Sequence, residues 1–316
     1  MKRWAEVQAW RDRLRALSPD VGLSPEGARV ALDAALDALD DVPRHLGRPA
    51  PGHTVIVCAS TVFTASIEWA AVLLARGGRV TLKAPRAHAA WFAEVAACTD
   101  LPILSTTDRD VLQDADCLVV MGSDATLDAI RSQLGPRQRL LGFGHRYSLT
   151  WWSDPDQADA VALDLALHDG RGCMSPLGVF SPLPDAVELL SHAMERLQAR
   201  LPRGDVAPME GAGIRSRAAL ARVLGQAVDA PDWSVHALPA ARFPEPGLPR
   251  AAVVHPADRA TFEAAVHTHL PKLSTVATDA PATLEGVRGV RVCAPGEMQR
   301  PPLDRLHDGV DWLREL

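Results

Sequence analysis

Residues 55–85 read VIVCASTVFTASIEWAAVLLARGGRVTLKAP. A short apolar run, VIVC, is bounded by the polar break Ala59–Thr61, as expected for a buried strand. TASIEWAAVLLARGG has helical spacing and a glycine stop at Gly77 and Gly78. RVTLKAP is a second strand that ends at Lys83. A strand, a helix and a strand at this spacing form a parallel βαβ unit with a right-handed crossover.

The same alternation continues outward. HAAWFAEVAAC predicts a helix and LPILST a third strand. DCLVVMGSD predicts a strand running into a turn, ATLDAIRSQL the next helix, and RLLGFG another strand. Together these predict an open, doubly wound sheet, in which ligands bind beyond the carboxyl ends of the strands. Those ends carry Ala59–Phe63, Lys83–Arg86 and Gly122–Asp124. Upstream, residues 1–48 read as helices. Downstream of residue 145 the pattern changes. HRYSLTWW predicts a strand and SDPDQADAVALDLAL a capped helix. PLPDAVELLSHAMERLQARL is a strong amphipathic helix. RGDVAPMEGAG reads as a breaker and IRSRAALARVLGQAV as one more helix. AAVVHP and LSTVATD predict strands around the helix DRATFEAAVHTHL, and DWLREL a last short helix. These changes predict two domains. The first covers 1–143 with a return segment at about 291–316, and the second covers 144–290.

Composition narrows the function classes. The 316 residues are 47% hydrophobic and 23% charged with a net charge of −6, so no basic surface points to nucleic acid. No apolar run approaches the length of a membrane span, and the N-terminus is too charged for a secretory signal, which predicts a cytoplasmic protein. The five cysteines include no CxxC and no Cys/His zinc spacing. His267 and His269, two apart, read as helix-end residues. Only three lysines occur, Lys2, Lys83 and Lys272. No GxGxxG fingerprint follows a strand, and GFGHRY holds only two of its glycines.

Four cysteines (Cys58, Cys98, Cys117, Cys293) sit in apolar runs, where a cysteine serves as a small buried hydrophobe. Cys173 differs. It lies in HDGRGCMSPLGVF, residues 168–180, between a helical run and a second apolar run. If its turn enters a helix, the backbone N–H groups would lower the thiol's pKa and hold an oxyanion. The residues alone allow two readings, an acyl-accepting nucleophile or a small residue packed in a glycine-flanked turn. Three groups could partner a nucleophile, His168, Asp169 and His145, but each reads more readily as solvated or structural.

Several segments together resemble the acyl-CoA reductases of the aldehyde dehydrogenase superfamily, and most of all the fatty-acid reductase of bacterial luminescence. GRGCMSP is similar to their active-site cysteine turn. Residues 55–85 resemble their strand–loop–helix–strand ending in lysine. LVVMGSDATLDAIRSQL resembles the cofactor loop and helix, LLGFGHRYSLTWW the domain-crossing strand, and GVRVCAPGEMQRPPLDRLHDG the C-terminal signature. They run in the family's order from about 54 to 316. The resemblance implies an aldehyde dehydrogenase-like α/β fold, with a Rossmann-like doubly wound cofactor-binding domain and a second α/β catalytic domain.

It also implies a reaction. Cys173 would attack the thioester of an acyl-CoA or acyl-carrier substrate, and NADPH (or NADH) would reduce the thioacyl enzyme to an aldehyde. Lys83 would hold the cofactor's adenosine ribose or its 2′-phosphate, with Gly122, Ser123 and Ala59 against the cofactor. The family has a Gly-Asn pair in the loop after the first strand, and its amide helps hold the oxyanion. Here Ser60 and Thr61 stand at those positions. Losing such a donor costs about 2.7–4 kcal/mol. The implied partners are the thioester substrate, an acyl-activating enzyme or carrier protein, and further copies of the chain. Two alternatives compete, a cysteine-dependent acyltransferase or thioesterase and a non-catalytic scaffold of the same fold. Cofactor binding separates the first alternative from the reductase; acylation of Cys173 separates the scaffold from both.

Overall fold

The computed structural model describes residues 2–239, 247–280, 284 and 287–316. The chain forms two compact units. One comprises residues 1–21, 28–145 and 302–316; the other comprises residues 22–27 and 146–301.

The first unit is built on five parallel strands, β1 (His53–Val57), β2 (Arg79–Lys83), β3 (Ile103–Thr106), β4 (Cys117–Met121) and β5 (Arg139–Phe143). Their order is β3-β2-β1-β4-β5. Helices α1 (Lys2–Arg15), α2 (Pro25–Asp37), α3 (Ala65–Ala75), α4 (Ala89–Ala97) and α5 (Asp124–Arg131) precede or connect them. α3 is apolar on nearly every side, and nine of its residues are buried. Such a helix belongs inside a unit rather than on its surface. It stops where the sequence predicts. Gly77 takes φ +91°, a left-handed conformation that a side chain resists. The Gly78 N–H then donates to the Leu73 carbonyl at 2.9 Å and the Gly77 N–H to that of Leu74 at 3.0 Å. These two bonds satisfy the last carbonyls of the helix. The chain's final segment completes the core. Trp312, on the short helix α10 (Trp312–Glu315), packs 4.2 Å from the Trp69 ring. Arg305 makes a two-pronged ion pair with Glu68 at 2.6 and 2.9 Å.

The second unit carries seven strands in the order β12-β11-β6-β7-β10-β9-β8. They are β6 (Tyr147–Trp151), β7 (Pro176–Ser181), β8 (Gln226–Asp229), β9 (Ser234–Ala237), β10 (Ala251–Pro256), β11 (Leu273–Thr278) and β12 (Arg291–Cys293). All neighbours are parallel except β8 and β9. Helices α6 (Ala158–Ala166), α7 (Ala186–Gln198), α8 (Pro208–Leu224) and α9 (Arg259–His269) pack with them. Tyr147, Leu149, Trp151, Phe180, Phe262, Val266, Leu273 and Val276 form its core.

Three details differ from the expectation. The supposed breaker RGDVAPMEGAG is in its second half the first turns of α8. Pro208 sits where a helix has no N–H to lose, and the Glu210 carboxylate accepts the Ala207 N–H at 2.8 Å. GQAV, expected at that helix's end, is mostly strand β8, paired with the unanticipated β9. Residues 291–301 stay in the second unit, because β12 pairs with β11 through Thr275–Arg291, Val276–Val292 and Ala277–Cys293. The return to the first unit starts at Pro302 rather than near 291.

Candidate functional site

In the first unit, the expected cofactor residues stand at adjacent strand ends. Val57 pairs with Lys83 across β1 and β2, and with Val120 across β1 and β4. The loops after these strands therefore open on one edge of the sheet. Connections wind outward in both directions from β1 and β4, which makes their junction the topological switch point where such sheets bind ligands. Ala59 is half-buried in the loop after β1, and Ser60 and Thr61 are exposed there. Lys83 is the half-buried last residue of β2. Its ammonium donates to the Ala84 carbonyl at 3.4 Å, a long bond that a stronger acceptor would displace.

Gly122 and Ser123 follow β4. Ser123 caps α5: its Oγ accepts the Thr126 N–H at 3.2 Å. A methyl group at Gly122 would come nearest Thr126, at 3.4 Å, an ordinary contact that does not by itself demand a glycine. Asp124, in the first turn of α5, accepts the His145 N–H at 3.1 Å. His145 itself is exposed.

Cys173 stands in the second unit, half-buried, in a turn closed by the Ser175 N–H donating to the Gly172 carbonyl at 3.0 Å. This turn enters strand β7, not a helix, so the condition for a helix N-terminus at the thiol is not met. PLGVFS is almost wholly buried, and the next helix waits until Ala186, beyond Pro182 and Pro184. Other groups hold the turn instead. The Ser148 hydroxyl, on β6, donates to the Cys173 carbonyl at 2.7 Å and accepts the Thr275 N–H at 3.1 Å. The Gln299 amide donates to the Ser175 hydroxyl at 2.8 Å. The Ser274 hydroxyl lies 4.0 Å from the Cys173 sulfur. The thiol is thus placed at the amino ends of β6, β7 and β11.

The loop that carries Gln299 is itself anchored. Asp164 on α6 is fully buried and accepts the N–H groups of Gly296 at 2.6 Å and Met298 at 3.1 Å. Burial pushes its carboxyl up to about 7, against the pull of those two N–H groups. Sequence reasoning missed Ser148, Ser274, Thr275, Gln299 and Asp164. The one available signal was a serine in a strand, YSLTW, flanked by large apolar and aromatic residues, at Ser148.

The remaining candidates separate clearly. His168 is buried, and desolvation lowers its pKa to about 4, so it stays neutral near pH 7. Asp169 is 1% exposed and paired with Arg250 at 2.8 Å. Both are structural rather than solvated. His269, in the last turn of α9, meets the Tyr147 hydroxyl at 2.6 Å, and His267 is exposed beside it. Burial raises the thiols of Cys58 to about 12, of Cys117 and Cys293 to about 11, and that of Cys98 in the same direction. Burial thus disfavours the thiolate, the reactive form, in all four.

A family model described as acyl-CoA reductase (LuxC) matches residues 104–316, more than half of the chain. The chain belongs to the acyl-CoA reductase family. The matched segment includes Gly122, Ser123 and Cys173; Ala59–Thr61 and Lys83 precede it. No curated protein matches the chain.

Solved structures share this family member's fold at low identity. The NADP-dependent glyceraldehyde-3-phosphate dehydrogenase of Bacillus halodurans, complexed with NADP, is 14% identical at a TM-score of 0.70, covering 98% of this chain and 82% of its own. An aldehyde dehydrogenase of Brucella melitensis biovar abortus is 12% identical at 0.71, covering 93% and 76%. The indole-3-acetaldehyde dehydrogenase AldA of P. syringae is 12% identical at 0.73, covering 93% and 75%. The acyl-CoA reductase family member described here therefore has the aldehyde dehydrogenase fold. Among the described residues, no helix is long and apolar enough to cross a membrane.

Proposed function

We propose that this acyl-CoA reductase acts through Cys173, taking the acyl group of an acyl-CoA or acyl-carrier thioester and releasing it as an aldehyde. The observation that carries this reading is the thiol's placement. Cys173 alone of the five cysteines lies in a glycine-flanked turn within the family-matched segment, with a hydroxyl, Ser274, beside its sulfur. Its sulfur attacks the thioester carbonyl, the carbon–sulfur bond to the leaving thiol breaks, and that thiol departs with a proton. The acyl group stays on Cys173. Dividing the reaction this way replaces one hard step by two easier ones. With Ser60 and Thr61 where the family has a Gly-Asn pair, this reading assigns the oxyanion to backbone N–H groups of the Cys173 turn.

The first unit is the cofactor-binding domain in this reading, and the second is the catalytic domain. The switch-point edge fits a dinucleotide: a helix capped by Ser123, a glycine before it, and a half-buried lysine whose ammonium makes a long bond to the Ala84 carbonyl. A reduced nicotinamide, when bound, supplies the hydride that turns the acyl group into an aldehyde. NADPH is favoured over NADH. Lys83, the last residue of β2, and the Ala84-Pro85-Arg86 that follow it carry two cations and no carboxylate, where a sugar 2′-hydroxyl would call for an acid and a 2′-phosphate for a base.

Intact-protein mass after mixing with a series of acyl-CoAs, with and without NADPH, tests the reading. A mass gain equal to the acyl group, absent in Cys173→Ala and discharged by NADPH, supports it. An adduct indifferent to NADPH would indicate acyl transfer. No adduct from either CoA or carrier thioesters would indicate the scaffold.

A further inference from the structure

We propose that Asp169 is the positioning residue of the Cys173 turn; this rests on Cys173 being the acyl-accepting thiol. Just upstream of that turn, His168, Asp169 and Gly170 adopt left-handed conformations in succession, with φ 52°, 52° and 73°. A left-handed residue other than glycine costs about 1–2 kcal/mol, and two in a row persist only where the surroundings force them. Gly170 is confined too, since a Cβ there would approach the Leu165 carbonyl to 3.0 Å.

The forcing group is Asp169. Its Oδ1 accepts Arg250 Nε at 2.8 Å. Its Oδ2 accepts the Gly204 N–H at 3.0 Å and Arg171 Nη1 at 3.3 Å. Its carbonyl accepts the Arg250 N–H at 3.2 Å. Arg250 is as buried as its partner and donates onward to the carbonyls of Leu201 and Pro202 and to Gln198. Arg171 grips Glu210 with two bonds of 3.0 Å and the Asp205 carbonyl with one of 2.6 Å. The segment is thereby tied to the end of α7, the start of α8 and the start of β10.

Arg171 is two residues from Cys173. A buried ion pair gives little net stability over apolar side chains of the same volume. What this one does is hold a strained backbone in a single conformation directly before the reactive thiol. Thioester attack needs that precision, because a misplacement of about 1 Å costs on the order of 10²-fold.

The test uses the full chain with Asp169→Asn, which tolerates the left-handed conformation but removes the charge, and with Arg171→Gln and Arg171→Lys. Three quantities are read: the rate of acyl transfer from acyl-CoA to Cys173, the rate of Cys173 alkylation by iodoacetamide across pH, and the melting temperature. Alkylation needs only an accessible thiolate. The expected result for Asp169→Asn is acylation about tenfold slower or more with alkylation within about threefold of the parent. Arg171→Gln should shift the same way by less, and Arg171→Lys should recover part of the loss. Acylation at the parent rate in a folded Asp169→Asn protein would overturn the proposal. So would acylation and alkylation falling together with the melting transition. If Asp169→Asn does not fold, the half-buried Arg171→Gln decides; if neither folds, the network is purely structural and the proposal fails. A parent protein that forms no adduct at Cys173 would refute the reading of the thiol itself, and is recognised because the unmutated chain is then silent.

Discussion

In the five-stranded sheet the candidate cofactor groups stand at the carboxyl ends of β1, β2 and β4, whereas in the seven-stranded sheet Cys173 stands at an amino end, beside those of β6 and β11. The first arrangement follows from topology. Winding in both directions from β1 and β4 leaves a crevice whatever side chains fill it. At the amino ends no crevice comes free. The turn there is held by individual bonds from Ser148, Gln299 and Asp169, each from a different element. One site should therefore tolerate substitution residue by residue, and the other should lose shape when any one clamp is cut.

The largest effect belongs to the thiol. Cys173→Ala should abolish both the acyl adduct and aldehyde formation while NADPH binding, followed by fluorescence titration, stays at the parent value. Aldehyde at the parent rate from this variant would remove Cys173 from the chemistry. Ser148→Ala comes next. It frees the Cys173 carbonyl and leaves the buried Thr275 N–H without this acceptor, a loss of about 1–3 kcal/mol. Thermal melts should show the destabilisation, and acylation should slow more than NADPH binding weakens. If both change equally, the contrast between the two units is false.

Lys83→Ala should weaken NADPH binding by about tenfold, the worth of one lost charge-assisted bond, with acylation of Cys173 untouched. An equal loss of both would signal misfolding.

The last effect falls on stability rather than on acylation or cofactor binding, and it concerns pH. Asp164 has its pKa raised from 3.8 to about 7, chiefly by burial. The folded state therefore binds more protons than the unfolded chain between these values, and stability falls as pH rises through that window. Melting temperature should drop between pH 5 and pH 8 more for the parent than for Asp164→Asn. Equal slopes would show that Asp164 is not protonated in the folded chain near pH 6.

The sequence exposed the first sheet because its strands carry short apolar stretches, clearest in β1 and β4, between glycine, proline or polar breaks, and Gly77 and Gly78 mark a helix end that the backbone then uses. It hid the first turns of α8, because Pro208, Gly211 and Gly213 read as breakers although proline fits the first turn. It hid β8 and β9, which are four residues each and too short to show a period. Cys173 was legible from the glycines around it. Its holders were not. Ser148, Ser274 and Gln299 come from three separate elements, and only folding brings them to one turn. Asp169 was visible as a candidate partner, but its role lies in backbone angles and in Arg250, 81 residues away.

The chain passes between the units four times, near residues 21, 27, 145 and 301. Neither unit is thus one continuous stretch. The core around Trp69 is closed by Trp312 and by the Arg305–Glu68 pair. As the polypeptide leaves the ribosome, the half made first must wait for its last fifteen or so residues before it can close, while the half made later can finish ahead of it. Expression of residues 1–145 alone should give a polypeptide with an open seam along α3, which chaperones rather than ligands would meet first.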